Sequence, residues 1–248
     1  MVNYDITIAS MREVDNIKKY RNEWKYCCIV NDLRMIENRL SAVLNKDLYS
    51  NDDGRYEIHS LYFDDYKDTC ARENDAGIAK RFKWRIRYYG SQTQFLRLER
   101  KEKVNGLCYK ENCLISPEEY QKIMDGDVEE VLWETEEVLL KQFCLQCMVK
   151  KFEPKAIIHY ERAAYVEDIT NIRITLDENI SVSDDFLHFL DGDYMRYPVM
   201  EKGQHVLEVK FDYILPGYIK HIVTNRCLAQ SSFSKYYLGR KILQNMRR

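Results

Sequence analysis

The chain has 248 residues, 45% of them apolar and 31% charged, with a formal net charge of −2. That balance excludes a disordered chain and a protein built only to coat nucleic acid. No run of about 18 apolar residues occurs, which excludes a helical membrane span. Residues 1–11 contain Asp5 and no apolar core of signal-peptide length. With nine Gly, four Pro and no linker or repeat, residues 1–248 read as a single domain.

In chain order, residues 21–30 read as a strand, and Asn31 then caps a helix to about Leu44 whose Leu33, Ile36, Leu40 and Leu44 share a face. Residues 55–64 alternate as a strand, and 65–76 are polar, a short helix or loop. Residues 80–89 and 93–104 form a hairpin around Gly90-Ser91-Gln92, and 107–115 extend the sheet. Ser116-Pro117-Glu118-Glu119 is a helix start, with Ser116 as N-cap and Glu119 closing a capping box. One longer helix is expected over 128–150, then strands over 155–166, 171–180 and 205–213. Pro216-Gly217 ends the last strand, and helices over 217–229 and 234–247 close the chain. The sum is an α+β fold: an antiparallel sheet of about eight strands, closed into a β-barrel and surrounded by helices.

The eight cysteines are scattered, and no second pair or neighbouring His completes a zinc site around Cys144 and Cys147, which read as core thiols of a reduced, cytoplasmic protein. His59 and His159 read as packed or hydrogen-bonded strand residues.

The informative pattern is charge at period two. Arg21, Glu23 and Lys25 alternate along one strand; so do Lys83, Arg85 and Arg87; Arg97, Glu99, Lys101 and Lys103; Arg173, Thr175 and Asp177; and Glu208, Lys210 and Asp212. The opposite faces are mostly apolar, as in Trp84 and Ile86, or Leu207, Val209 and Phe211. Helices need an apolar surface to cover, so the apolar faces should point outward and the charged faces into the barrel. A lumen lined by about ten cations is expected to hold water and a polyanion. Arg forks and Lys point charges suit phosphate, and the interleaved carboxylates suit a hard divalent cation. Alternate residues about 6.6–7 Å apart would let successive phosphates climb the ladder.

These residues resemble a known family, the catalytic domain of the vacuolar transporter chaperone (VTC), a polyphosphate polymerase domain of the triphosphate tunnel metalloenzyme (CYTH-like) superfamily. The matching segments are Arg21-x-Glu23-x-Lys25-Tyr26, Tyr62-Phe63-Asp64, Arg85-Ile86-Arg87-Tyr88-Tyr89-Gly90, Leu98-Glu99-Arg100-Lys101, Tyr160-Glu161-Arg162, Arg173-Ile174-Thr175-Leu176-Asp177, Glu208-Val209-Lys210 and Phe233-Ser234-Lys235-Tyr236. Each is weak alone; their shared order along the chain is specific. The resemblance implies transfer of the γ-phosphate of ATP to a growing polyphosphate chain with Mn²⁺ or Mg²⁺. It places Lys25, Arg85, Arg87, Lys101, Arg162, Arg173 and Lys210 as the catalytic cations. It places Lys110, Tyr160, Ser234 and Lys235 against substrate, and Glu208, with Glu23 and Glu99, as metal ligands. The partners implied are ATP and inorganic polyphosphate or triphosphate, with no nucleic acid. The superfamily's first-strand signature is Glu-x-Glu-x-Lys; Arg21 in its first position shifts the balance from hydrolysis toward phosphate binding. No sensor or membrane module accompanies the domain, so a stand-alone bacterial-type relative is expected, and export of product would need a membrane-protein partner. An inorganic triphosphatase or nucleoside triphosphatase, and a non-catalytic polyphosphate binder, are the alternatives.

Overall fold

The computed structural model describes residues 18–47, 54–224 and 228–247. The strands are β1 (Asn22–Ile29), β2 (Asn45–Lys46), β3 (Tyr56–Asp64), β4 (Lys80–Tyr89), β5 (Leu96–Val104), β6 (Leu107–Ile115), β7 (Glu153–Glu167), β8 (Ile172–Ser183), β9 (Tyr197–Pro198) and β10 (Gln204–Phe211). The helices are α1 (Val30–Ser41), α2 (Thr69–Asp75), α3 (Pro117–Asp125), α4 (Val128–Glu134), α5 (Val138–Lys150), α6 (Gly217–Val223) and α7 (Lys235–Met246).

All strands join one antiparallel sheet in the order β1-β10-β8-β7-β3-β4-β5-β6, with β2 paired to β7 and β9 to β8. The eight long strands are those expected from alternation. The two-residue strands β2 and β9 are too short for any periodicity to show. The edges β1 and β6 meet at a single bridge: Arg21 N–H donates to the Cys108 carbonyl at 2.8 Å, and Cys108 N–H to the Arg21 carbonyl at 2.9 Å. No continuous ladder joins those edges among the described residues, so the closed barrel expected from strand number is not present as a hydrogen-bonded ring.

The turn from β5 to β6 is Asn105-Gly106, with φ of 49° and 88°; two successive positive φ values are what a two-residue hairpin turn matching the sheet twist requires. The capping box at α3 is formed: Glu119 N–H donates to Ser116 Oγ at 3.1 Å, and Ser116 N–H to Glu119 Oε2 at 2.7 Å. Several expected boundaries are corrected. α1 begins at Val30 with no side-chain cap from Ile29, so Asn31 lies inside the helix, which ends at Ser41. The helix expected over 128–150 is two helices. Thr135 adopts extended backbone at the end of α4, and its Oγ1 accepts from Glu137 N–H at 3.1 Å, turning the chain. α6 stops at Val223; residues 225–227 lie outside the described residues, and 228 and 229 are not helical. β7 and β8 are longer than expected, fifteen and twelve residues.

Two apolar clusters hold the outer face. In one, Leu33, Ile36 and Leu40 of α1 and Ile219 and Val223 of α6 pack on Tyr26, Ile174, Leu176, Leu207 and Val209. In the other, Leu139, Leu140, Phe143, Cys144 and Cys147 of α5 pack with Phe63, Trp84, Ile86 and Leu98. Cys144 and Cys147 are free thiols within that core, as expected. α7 departs from the pattern, because it lies against the sheet's other face. A Cβ on its Gly239 would come 2.5 Å from Ile158 Cδ1. Ile158 pairs with Ser60, on the face that carries the charges. Tyr236 stacks on Tyr62 of that same face, centroids 4.9 Å apart, and donates to the buried Asp64 carboxylate at 2.8 Å.

Candidate functional site

Residues directly opposite in an antiparallel pair share a face. Across the sheet the register runs Lys25↔Glu208↔Thr175, Glu23↔Lys210↔Arg173, Arg162↔Asp177, Tyr62↔Arg85↔Glu99 and Lys83↔Lys101↔Lys110. The alternation read from separate strands therefore adds up to one charged face.

That face lines two cavities of about 500 and about 1,040 Å³. Glu23, Arg85, Arg87, Lys101, Arg162 and Lys210 line both. Lys25, Tyr160, Glu208, Ser234 and Lys235 line the smaller, and Lys110 and Arg173 the larger. Glu99, the remaining residue singled out, is fully buried behind them.

The interleaved carboxylates read from the sequence pair with these cations and take much of their charge. Arg85 donates to Glu99 at 2.6 Å and to Tyr62 Oη at 2.8 Å, and Lys110 holds the other Glu99 oxygen at 2.9 Å. Both oxygens of Glu99 are thus engaged by cations. Arg87 donates to Ser60 Oγ and Tyr160 Oη at 2.8 and 3.1 Å. Lys101 binds Glu23 at 2.5 Å, and Lys210 binds Glu208 at 2.7 Å. Lys25 lies 3.7 Å from Glu23 and 3.5 Å from Glu208. Arg162 makes a two-bond fork to Asp177 at 2.6 and 2.7 Å, and Lys235 reaches the same carboxylate at 2.6 Å. Arg173 pairs with Asp47 and donates to Tyr56 Oη at 3.1 Å.

Burial alone would push these carboxyls up. Glu208 adds to that at Glu23, but Lys101, Lys25 and Lys210 outweigh both and bring Glu23 down to about 2. Burial also opposes the ionised form of Glu208, and Lys210, Lys25 and Lys101 overcome it and hold the group well below the usual carboxylate range. These two ionised carboxylates, both bridged by Lys25 and by Lys210, form an all-oxygen donor set suited to a hard divalent cation. Glu99 fits that role less well, since it is fully buried and lines neither cavity, whereas Glu23 and Glu208 both line the smaller one.

Three contributors stood in the alternating sets or the matching segments without being given a site role. Lys83 points into the smaller cavity and donates to Ser234 Oγ at 2.7 Å and Asn74 Oδ1 at 3.0 Å. Burial, then Lys25, Lys101 and Arg81, push its ammonium down to about 7. Its place two residues before Arg85 was the available signal. Asp177 anchors Arg162 and Lys235 together, and no local pattern marks an anchor shared between distant segments. Tyr62 receives the Arg85 guanidinium; burial opposes its ionisation, but Arg85 and Arg87 win and lower its pKa.

The charged face, its paired carboxylates and the helix start that delivers Ser234 and Lys235 define a polyanion-type site on an antiparallel sheet. The VTC domain family model matches residues 20–244, so the chain belongs to that family. Among solved structures, it is similar to the PH1819 protein of Pyrococcus horikoshii OT3 (13% identity, 91% of this chain and 99% of that one, TM-score 0.44). It is also similar to the PH1012 protein of the same organism (16%, 82% and 84%, 0.41) and to the inorganic triphosphatase NE1496 (7%, 88% and 97%, 0.29). Those scores are too low to carry an argument about function. No curated protein matches.

Proposed function

We propose that the chain is a single-domain, metal-dependent phosphotransferase that binds ATP and inorganic polyphosphate along its charged face and transfers the γ-phosphate to the growing chain. The observation that carries this reading is the run of cations on one sheet face, shared by two cavities through Glu23, Arg85, Arg87, Lys101, Arg162 and Lys210. Two cavities with common walls support a passage open at both ends, and the Arg21–Cys108 bridge supports a sheet curled around it. Such a passage suits a flexible, single-chain polyanion. No helix among the described residues is long and apolar enough to cross a membrane.

In this reading Arg85, Arg87, Arg162 and Lys210 take the non-bridging phosphate oxygens, and Lys101 and Lys25 neutralise charge beside Glu23 and Glu208. Arg173 and Lys110 hold phosphates in the larger cavity, while Tyr160, Ser234 and Lys235 position substrate in the smaller. Glu208 and Glu23 are the residues suited to hold Mn²⁺ or Mg²⁺, which supplies charge neutralisation on phosphate oxygens. Phosphoryl transfer depends mainly on positioning and on neutralising charge. A terminal phosphate is already anionic and needs no strong base, whereas hydrolysis needs a group to orient water. Glu99 and Glu23 are engaged in ion pairs, which favours a phosphate acceptor over water.

The test is incubation with γ-labelled ATP and Mn²⁺, repeated with Mg²⁺ and a short polyphosphate primer, with products resolved on a gel. A labelled ladder is expected. Free phosphate without a ladder would mean a triphosphatase, and intact ATP a binding module; either result overturns the polymerase.

A further inference from the structure

On the opposite face of the sheet, three potential ligands converge. His59 and His159 are directly paired across β3 and β7, their rings 4.8 Å apart, and Glu57 precedes His59 by two residues on the same face. One ligand atom from each lies within 4.8 Å of the others. Glu57 Oε2 is 3.4 Å from His59 Nε2, and Oε1 is 3.8 Å from His159 Nε2. This group is separate from the phosphate-type site, because neighbouring Ser60 faces the cations while His59 stacks on Tyr88 of the other face, centroids 4.4 Å apart.

We propose that Glu57, His59 and His159 form a Zn²⁺ site, and that Arg196 guards it. Two imidazoles and a carboxylate are a borderline-soft N/O set that zinc takes readily, leaving a fourth coordination position. Ligand atoms about 2.0–2.1 Å from a tetrahedral zinc stand about 3.3–3.4 Å apart. The Glu57 gaps of 3.4 and 3.8 Å are already near that, and the Glu57 side chain, half exposed, has room to adjust. The other ring nitrogens already have orienting partners, as metal-bound histidines require. Tyr194 Oη lies 2.6 Å from His59 Nδ1, and Ser181 Oγ 3.5 Å from His159 Nδ1. Arg196 lies over the His159 ring, Nη1 3.2 Å from Nε2 and 3.5 Å from Nδ1, so its positive charge opposes an arriving cation. Arg196 is exposed and also donates to the Gly192 carbonyl at 2.8 Å; binding would turn it toward solvent, while buried Phe189 and Tyr194 hold the segment joining β8 to β9 in place.

The test is a zinc titration of the chelator-stripped, full-length protein against a chromophoric chelator. One Zn²⁺ per chain is expected. Glu57→Gln and His159→Gln should each weaken binding by more than about ten-fold, and Arg196→Ala should tighten it. A gain of affinity cannot come from misfolding, and thermal melting of the Glu57→Gln and Arg196→Ala proteins shows that each is folded. Co²⁺ in place of zinc should give a tetrahedral spectrum without a thiolate charge-transfer band. Absence of stoichiometric binding, binding indifferent to Glu57→Gln and Arg196→Ala, or a thiolate band would each overturn the site. All readouts are independent of phosphate chemistry.

Discussion

Lys83 makes the most demanding prediction. It makes no ion pair among the described residues, and its partners are a neutral amide oxygen and a hydroxyl. With its ammonium held near 7, a free site at about pH 8 carries this proton on about one molecule in ten. A triphosphate in the smaller cavity would supply the missing negative charge and restore protonation. Binding at about pH 8 should therefore take up about 0.9 proton per chain, falling to about 0.1 near pH 6, where Lys83 is already charged. Tripolyphosphate titrated by calorimetry in two buffers of different ionisation enthalpy reads this number, and Lys83→Met provides the subtraction. Equal uptake by wild type and Lys83→Met at about pH 8 would refute the reasoning. Stability follows with a defined sign. Between about 7 and 10.5 the unfolded chain binds more protons at this residue than the folded one, so its contribution to stability rises with pH across that window, and Lys83→Met should flatten the rise.

Three further outcomes follow from the packing and pairing. Arg162→Met leaves Asp177, fully buried, with Lys235 as its remaining cation, and should lower stability by about 3–5 kcal/mol in urea denaturation; a loss under about 1 kcal/mol would show the pair to be unimportant to the fold. Gly239→Ala drives a methyl into Ile158 and, at 3.0 Å, Val182, and should cost about 1–3 kcal/mol by thermal melting, with reduced turnover because α7 carries Ser234 and Lys235. Glu208→Gln should retain polyphosphate binding, read by fluorescence anisotropy, while turnover is lost; turnover with unchanged metal dependence would remove Glu208 from the metal assignment.

What the sequence disclosed is what repeats with a short period. Alternation located the eight long strands, and the same alternation sorted Arg85 and Arg87 from Trp84 and Ile86 before any contact was known. Ser116 and Glu119 were legible because a capping box is confined to four residues. The break at Thr135 was hidden, since it rests on a side-chain bond to Glu137 rather than on Gly or Pro. The placement of α7 on the charged face was hidden too, because its apolar residues fit either side of the sheet and only long-range contacts, such as Gly239 with Ile158 and Tyr236 with Tyr62, distinguish them. Internal neutralisation was the least accessible part. Glu23 meets Lys101 across 78 positions, and Asp177 meets Lys235 only once the C-terminal helix has docked.

Those internal counter-charges set how tightly the site can hold anything. A lumen of unpaired cations would grip a polyanion too strongly to release it and would oppose its own folding. In the proposed function an arriving phosphate would have to take Lys210 from Glu208, Lys101 from Glu23 and Arg85 from Glu99, so each step of entry would be an exchange of one ion pair for another. The difference between two similar attractions is small, and it keeps the same sign for every phosphate along the face. A chain held by such exchanges can slide by one unit at nearly constant energy, since the carboxylate left behind closes on the cation just vacated.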